Sequence, residues 1–133
     1  MSAPAEALMG DEDDVILSPP RKKRSNPEAA IQRAIIDRLR WHGCKCIAIP
    51  NEGKRSVRAG RAMRANGLAK GAPDLMVMRA GKIGFLEVKA AKGRVSPAQA
   101  EMHAEMARHG FTVHVVRSQD EAVAALRGEG WAL

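Results

Sequence analysis

Two carboxylates and one ammonium fall within a short stretch of this chain: Gly71-Ala72-Pro73-Asp74, twelve intervening residues, then Glu87-Val88-Lys89. Oxygen ligands of this kind suit Mg²⁺ or Mn²⁺, which keep several waters and can turn one into a nucleophile near neutral pH. A lysine beside them could orient or deprotonate that water, or stabilise charge developing on a phosphoryl group. These are the parts of a metal-dependent phosphodiesterase. The bland alternative is a Glu-Lys pair on a strand that neutralises itself in solvent.

The chemistry requires a hairpin. Residues 74–79 and 82–90 read as two strands, and the Ala80-Gly81 step between them is a short turn signal. If Arg79 pairs with Lys82, counting back along both strands puts Asp74 directly opposite Glu87. Opposed side chains have Cβ atoms roughly 4.5–5.5 Å apart, close enough to share a cation and too close for two unneutralised carboxylates. Lys89 then points to the same face as Glu87. Alanine is a poor residue for positive φ, and a bulge would slip this pairing by one.

Around the hairpin the expected order is helix, strand, helix, strand, strand, helix, strand, helix. The first helix opens at Ser25-x-x-Glu28, a capping box, or at Asn26 before Pro27, and ends at Gly43. Its buried stripe is Ile31, Ala34, Ile35 and Leu39. Residues 44–49 form a strand stopped by Pro50, and a short helix follows Ser56. After a loop at Lys92-Gly93-Arg94, Ser96-Pro97 starts a helix that runs to Gly110. Residues 111–116 form the last strand, and Ser118-x-x-Glu121 caps a final helix fading at Gly128.

The chain has 133 residues and a formal charge of +7, with a sequence pI near 10.0. Residues 1–25 hold Pro4, Pro19, Pro20, an acid run at 11–14 and a base run at 21–24, and read as a disordered charged tail. Residues 26–133 make one domain. Beyond residue 26 there are 18 bases against 10 acids, which points to a polyanion, nucleic acid being the commonest. Aromatics are only 3%, which argues against base-stacking platforms. No apolar run approaches a membrane span and no signal peptide is evident, so an intracellular, cytoplasmic setting is expected.

Cys44 and Cys46 lie two apart on a strand, a poor geometry for a disulfide and a natural one for reduced, packed thiols. With His42 they could suggest zinc, but a structural site needs four ligands. His42, His103, His109 and His114 are scattered, and packing or solvated roles are expected for them.

An α/β order with an antiparallel hairpin and a helical crossover to another strand is the layout of the PD-(D/E)xK nuclease core, and Pro73-Asp74 with Glu87-Val88-Lys89 matches its signature. Across residues 27–117 the chain more specifically resembles a virus-type replication-repair nuclease domain, the VRR-NUC family. The matching positions are Glu28 and Gln32, Pro50-Asn51, Lys70-Gly71-x-Pro73-Asp74, Glu87-x-Lys89 and Ser96-x-x-Gln99. The resemblance implies a restriction-endonuclease-like fold, with a central mixed sheet and an antiparallel catalytic hairpin flanked by helices. It implies Asp74, Glu87 and the Val88 carbonyl as ligands of Mg²⁺ or Mn²⁺, and Lys89 as catalytic base or electrophile. Glu28 is implied as a direct or water-mediated ligand, and Gln99 as the residue orienting water or a phosphate. Glu28 and Gln99 also have ordinary readings, as a capping carboxylate and a polar first-turn residue.

On this reading Lys54, Arg55, Arg58, Arg61, Lys70, Lys92 and Arg94 contact the DNA backbone, positioning the strand without reading its sequence. Standalone members of the family resemble junction-resolving enzymes, so a four-way junction is the expected substrate, and its two equivalent strands suit a homodimer. The rivals are a non-catalytic nucleic-acid-binding module, a site-specific restriction-type endonuclease and an RNA-directed enzyme.

Overall fold

The computed structural model describes residues 26–50, 65–67 and 69–133. The tail at 1–25, the short helix after Ser56, and Lys54, Arg55, Arg58 and Arg61 lie outside the described residues. Helix α1 (Pro27–Trp41) leads into β1 (Lys45–Ala48), followed by β2 (Leu75–Arg79) and β3 (Lys82–Val88). Helix α2 (Pro97–Arg108), β4 (Val113–Val116) and α3 (Gln119–Gly128) complete the chain. The strands form one mixed sheet in the order β1-β2-β3-β4, with the first two pairings antiparallel and β3-β4 parallel.

The expected hairpin register is present: Arg79 pairs with Lys82 and Leu75 with Leu86, with no bulge between them. The turn accommodates this because Ala80 and Gly81 both take positive φ, 51° and 81°, the combination a two-residue type I′ turn requires. Alanine pays a steric cost there that asparagine or glycine does not.

Alternation along the hairpin separates the core from the chemistry. Leu75, Val77, Leu86 and Val88 face one side and are buried with Ile35 and Leu39 of α1, Val123 and Leu126 of α3, and Trp131. The residues between Leu86 and Val88, and just after, are Glu87 and Lys89, which point the other way, toward α2. A slip of one residue would exchange the two sets, so the apolar core itself fixes where the carboxylate goes.

Asn26 is the N-cap of α1, its side chain accepting the Ala29 N–H at 3.1 Å. Ser96 caps α2 with a full capping box: its hydroxyl accepts from Gln99 N–H at 3.1 Å, and Gln99 Oε1 accepts from Ser96 N–H at 2.9 Å. The last strand is shorter than 111–116. Phe111 N–H instead donates to Met106 O at 2.9 Å and Gly110 N–H to Ala107 O at 3.0 Å, closing α2 in a Schellman arrangement that takes Phe111 out of the sheet.

Ala80→Asn is expected to stabilise the domain by about 1 kcal/mol, because asparagine tolerates the left-handed conformation that the turn imposes. Urea unfolding of both proteins measures this. An unchanged midpoint would mean that the Ala80 conformation carries no strain.

Candidate active site

The site is built where the hairpin's open end meets α2. Asp74 lies one residue before β2, and its carbonyl accepts the Ile49 N–H at 2.9 Å, extending the β1-β2 ladder to the site. Its carboxylate crosses to the neighbouring strand, where Oδ2 accepts the Val88 N–H at 2.7 Å. The approach to Asp74 is fixed by Gly71, which has φ of 81° and sits so close to α2 that a Cβ would lie 2.3 Å from the Ala98 carbonyl oxygen. No other residue fits there without displacing backbone. Residues 71–73 are buried.

Glu87 is 1% exposed and Lys89 8%, and they are the buried charged residues among those described. Both Glu87 oxygens have partners on α2. Gln99 Nε2 donates to Oε2 at 3.2 Å, and His103 Nε2 lies 3.2 Å from Oε1. Gln99 therefore links the cap of α2 to the buried carboxylate through its two amide atoms. Burial pushes the Glu87 carboxyl up to about 8, helped by a hydrogen bond with Asp74 and by the Asp74 charge; Lys89 opposes the shift and Glu28 adds to it. His103 is held below its ordinary value, first by burial and then by the Lys89 charge, and its Nε2 shares a hydrogen bond with Glu87.

His103 stands outside the packing or solvated roles expected for the histidines. It follows Gln99 by four residues, so the two share a helix face, and that spacing is the signal that could have singled it out. His114 pairs instead with Glu129 and His42 with Arg38, away from the carboxylates.

Glu28 lies in the first turn of α1 and lines an open cleft of about 360 Å³ with Gln32, Arg33 and Asp74. Its Oε2 sits against Gly93, 3.2 Å from where a Cβ would stand. The loop after Lys89 is tied down by Arg117, whose Nη1 donates to the carbonyls of Ala90 and Gly93, the latter at 2.8 Å. Lys92 and Arg94 are exposed on or beside this loop, and Lys70 is exposed next to Gly71. The structure thus gathers Asp74, Glu87, Lys89 and Gln99, places Glu28 at the cleft's edge, and leaves three bases on the two loops that enter and leave the hairpin.

Among the described residues, no three His, Cys, Asp or Glu side chains are gathered closely enough to hold a metal ion by themselves. Cys44, just before β1, and Cys46 within it are free and buried, their thiols pushed up by burial. The Asp74-Glu87 pair does fit a hard cation. It offers only oxygen, and the raised Glu87 carboxyl holds a proton that a divalent ion would replace. Two carboxylates with a main-chain oxygen and waters are the kind of ligand set that Mg²⁺ takes.

A family model described as the VRR-NUC domain matches residues 26–120, which span α1 through the start of α3. The chain belongs to the VRR-NUC family. Solved structures resemble it, two of which bear the family's description. One, described as a VRR_NUC domain, is 25% identical with a TM-score of 0.58, over 77% of this chain and 97% of its own. The other, described as a VRR_NUC domain protein, is 18% identical with a TM-score of 0.56, over 80% and 89%. Comparison with curated proteins finds no match. The VRR-NUC domain is a nuclease domain of the PD-(D/E)xK superfamily, whose members generally depend on divalent metal ions, and its mixed sheet and flanking helices are the restriction-endonuclease-like fold. Among the described residues no helix is long and apolar enough to cross a membrane.

The raised Glu87 carboxyl gives a signed pH dependence for the metal-free VRR-NUC domain. The folded state keeps this proton to about 8, while an unfolded glutamate releases it near 4.5. Between those values the folded state binds more protons, so stability falls as pH rises through the window and levels off above it. Thermal melts in chelator from pH 5 to 9 should show this decline, and Glu87→Gln should flatten it. A decline that survives in Glu87→Gln would place its origin elsewhere.

Proposed function

We propose that this domain is a Mg²⁺- or Mn²⁺-dependent deoxyribonuclease, an endonuclease selective for branched DNA such as a four-way junction and active as a homodimer. The observation that carries the reading is the apposition of Asp74 and Glu87 across the hairpin, with Lys89 two residues further on and buried beside them.

In this reading Asp74, Glu87 and the Val88 carbonyl would hold the cation, with Glu28 at the cleft's edge as a direct or water-mediated ligand. When bound, the ion supplies a Lewis acid for the phosphoryl oxygens and lowers the pKa of an attacking water. Asp74 divides its oxygens between the strand and the site, since Oδ2 is held by the Val88 N–H. Gln99 and His103 fix the rotamer of Glu87, so the carboxylate does not have to reorganise when substrate arrives. Lys89 is screened from solvent, where its ammonium acts more strongly on the developing phosphoryl charge than it would in water. As the alternative within the same site, it takes the proton of the attacking water.

Lys54, Arg55, Arg58, Arg61, Lys70, Lys92 and Arg94 serve as backbone contacts. Each neutralised phosphate contributes about −0.9 to the slope of log affinity against log salt on duplex DNA. A junction has two equivalent strands, and a two-fold dimer meets it with two equivalent sites. The free, buried thiols of Cys44 and Cys46 suit a reducing, cytoplasmic setting.

The test is cleavage of a labelled synthetic four-way junction in Mg²⁺ or Mn²⁺ beside linear duplex DNA and RNA. Wild type should cut the junction preferentially, and Lys89→Ala should cut at least about 10²-fold more slowly while still binding. Equal cutting of linear duplex would discard the junction preference. Binding with no cleavage in either metal would leave a non-catalytic nucleic-acid-binding module. Light scattering at assay concentration should give twice the mass of one chain; a monomer that still cuts junctions would remove the dimer.

A further inference from the structure

One wall of the active-site cleft carries a cation that no contact among the described residues uses. Arg33 lines the cleft with Glu28, Gln32, Ile36 and Asp74. It is exposed, and among the described residues its guanidinium makes no hydrogen bond or ion pair. Four other arginines are engaged, Arg38 with Asp120, Arg79 with the His42 carbonyl, Arg117 with the 90–93 loop and Arg127 with the Leu133 carbonyl, while Arg40, Arg94 and Arg108 do not line this cleft. Arg33 is therefore available to a ligand in a way those four are not.

We propose that this cleft is a phosphodiester subsite of the nuclease, in which Arg33 grips the DNA backbone phosphate next to the one being cut. The inference rests on the nuclease reading. At about 360 Å³ the space lies near the lower end of small-ligand pockets, which run from roughly 300 to 1,000 Å³. That suits one nucleotide unit of one strand, with the rest of the duplex outside the mouth. A guanidinium presents paired N–H donors to two phosphate oxygens.

The cleft is also electrically polarised. Asp74 and Glu28 are acidic and Arg33 is basic, so with a divalent cation offsetting the carboxylates the attraction for an anion is left to Arg33. Gln32 offers an amide donor on the same wall, and Ile36 an apolar surface for a sugar. The distance from Arg33 to Asp74 is held by α1 itself, because Ile35 and Leu39 on its opposite face are fully buried in the core. A strand gripped at Arg33 is thus placed in register with the carboxylate pair.

The test uses fluorescence anisotropy of labelled junction and duplex DNA in Ca²⁺, with cleavage kinetics in Mg²⁺ or Mn²⁺. Arg33→Ala should weaken binding about tenfold and reduce the salt slope by about 0.9, with KM for cleavage rising by more than kcat falls. Arg33→Lys should recover most of the salt slope and part of the affinity. Arg40→Ala removes the same charge from the exposed far end of α1 and separates a local contact from general electrostatics. An unchanged affinity and slope in Arg33→Ala, or equal losses in Arg33→Ala and Arg40→Ala, overturns the subsite. Wild type that binds without cutting overturns the nuclease reading alone, because the binding comparison still reads Arg33. Wild type that binds no DNA overturns both.

Discussion

Two carboxylates held against each other in a place sheltered from water are the constraint from which the rest of this domain follows. Asp74 and Glu87 meet only because the strands on either side of Ala80-Gly81 pair in one register. That register is enforced from the other face of the sheet, where Leu75, Val77, Leu86 and Val88 are buried with α1 and α3. Shifting either strand by one residue would put Glu87 into the apolar core and bring leucine and valine to the site. The core thus stabilises the fold and aligns the chemistry through the same alternation, and neither can be altered without the other.

Bringing the carboxylates together has an electrostatic consequence that shapes α2. Without a cation, burial and the neighbouring Asp74 push Glu87 up to about 8, so this carboxyl is costly to ionise. Polar partners compensate in part. Gln99 and His103 on one face of α2 occupy both Glu87 oxygens, and Gly71 lets the chain before Asp74 lie directly on the helix's first turn. Helix α2 has no buried residue of its own. Its placement therefore depends on the capping box, the close approach at Gly71 and the hydrogen bonds to Glu87, more than on apolar packing. Scaffold and site are reciprocal here, since the helix that orients the carboxylate is itself held by it.

The local parts of this arrangement were legible in the sequence because they are written in short-range chemistry. Asn26-Pro27, Ser96-Pro97 and Ser118 each specify a helix start by side-chain capping, and the spacing from Asp74 to Glu87 fixes their apposition once the turn is two residues long. Strand ends were less legible: Phe111 belongs to the closure of α2 and not to β4, a choice between two hydrogen-bond partners that propensity does not resolve. His103 was obscured for a different reason. A lone histidine on a half-polar helix has no distinguishing pattern until tertiary structure shows which face meets Glu87. The cleft beside Asp74 was invisible for the same cause, being formed by α1 and a hairpin end that lie some forty residues away in the chain.

Charge shows most clearly how sequence and structure answer different questions. An excess of bases over acids predicts a polyanion partner from composition alone, yet several arginines in this chain are structural. Arg117 holds the loop after Lys89 through main-chain carbonyls, Arg79 anchors the end of α1, Arg38 ties α1 to α3, and Arg127 ties the chain's last carbonyl to α3. Each guanidinium engaged internally keeps its formal charge and contributes to the long-range field, but it cannot offer its donors to a phosphate. The field that attracts DNA is therefore broader than the surface that grips it. Affinity at a distance scales with net charge, whereas register on a strand depends on bases whose donors are not engaged internally. For a nuclease that second quantity governs the outcome, because a strand attracted but not aligned presents no phosphodiester to the groups that cut it.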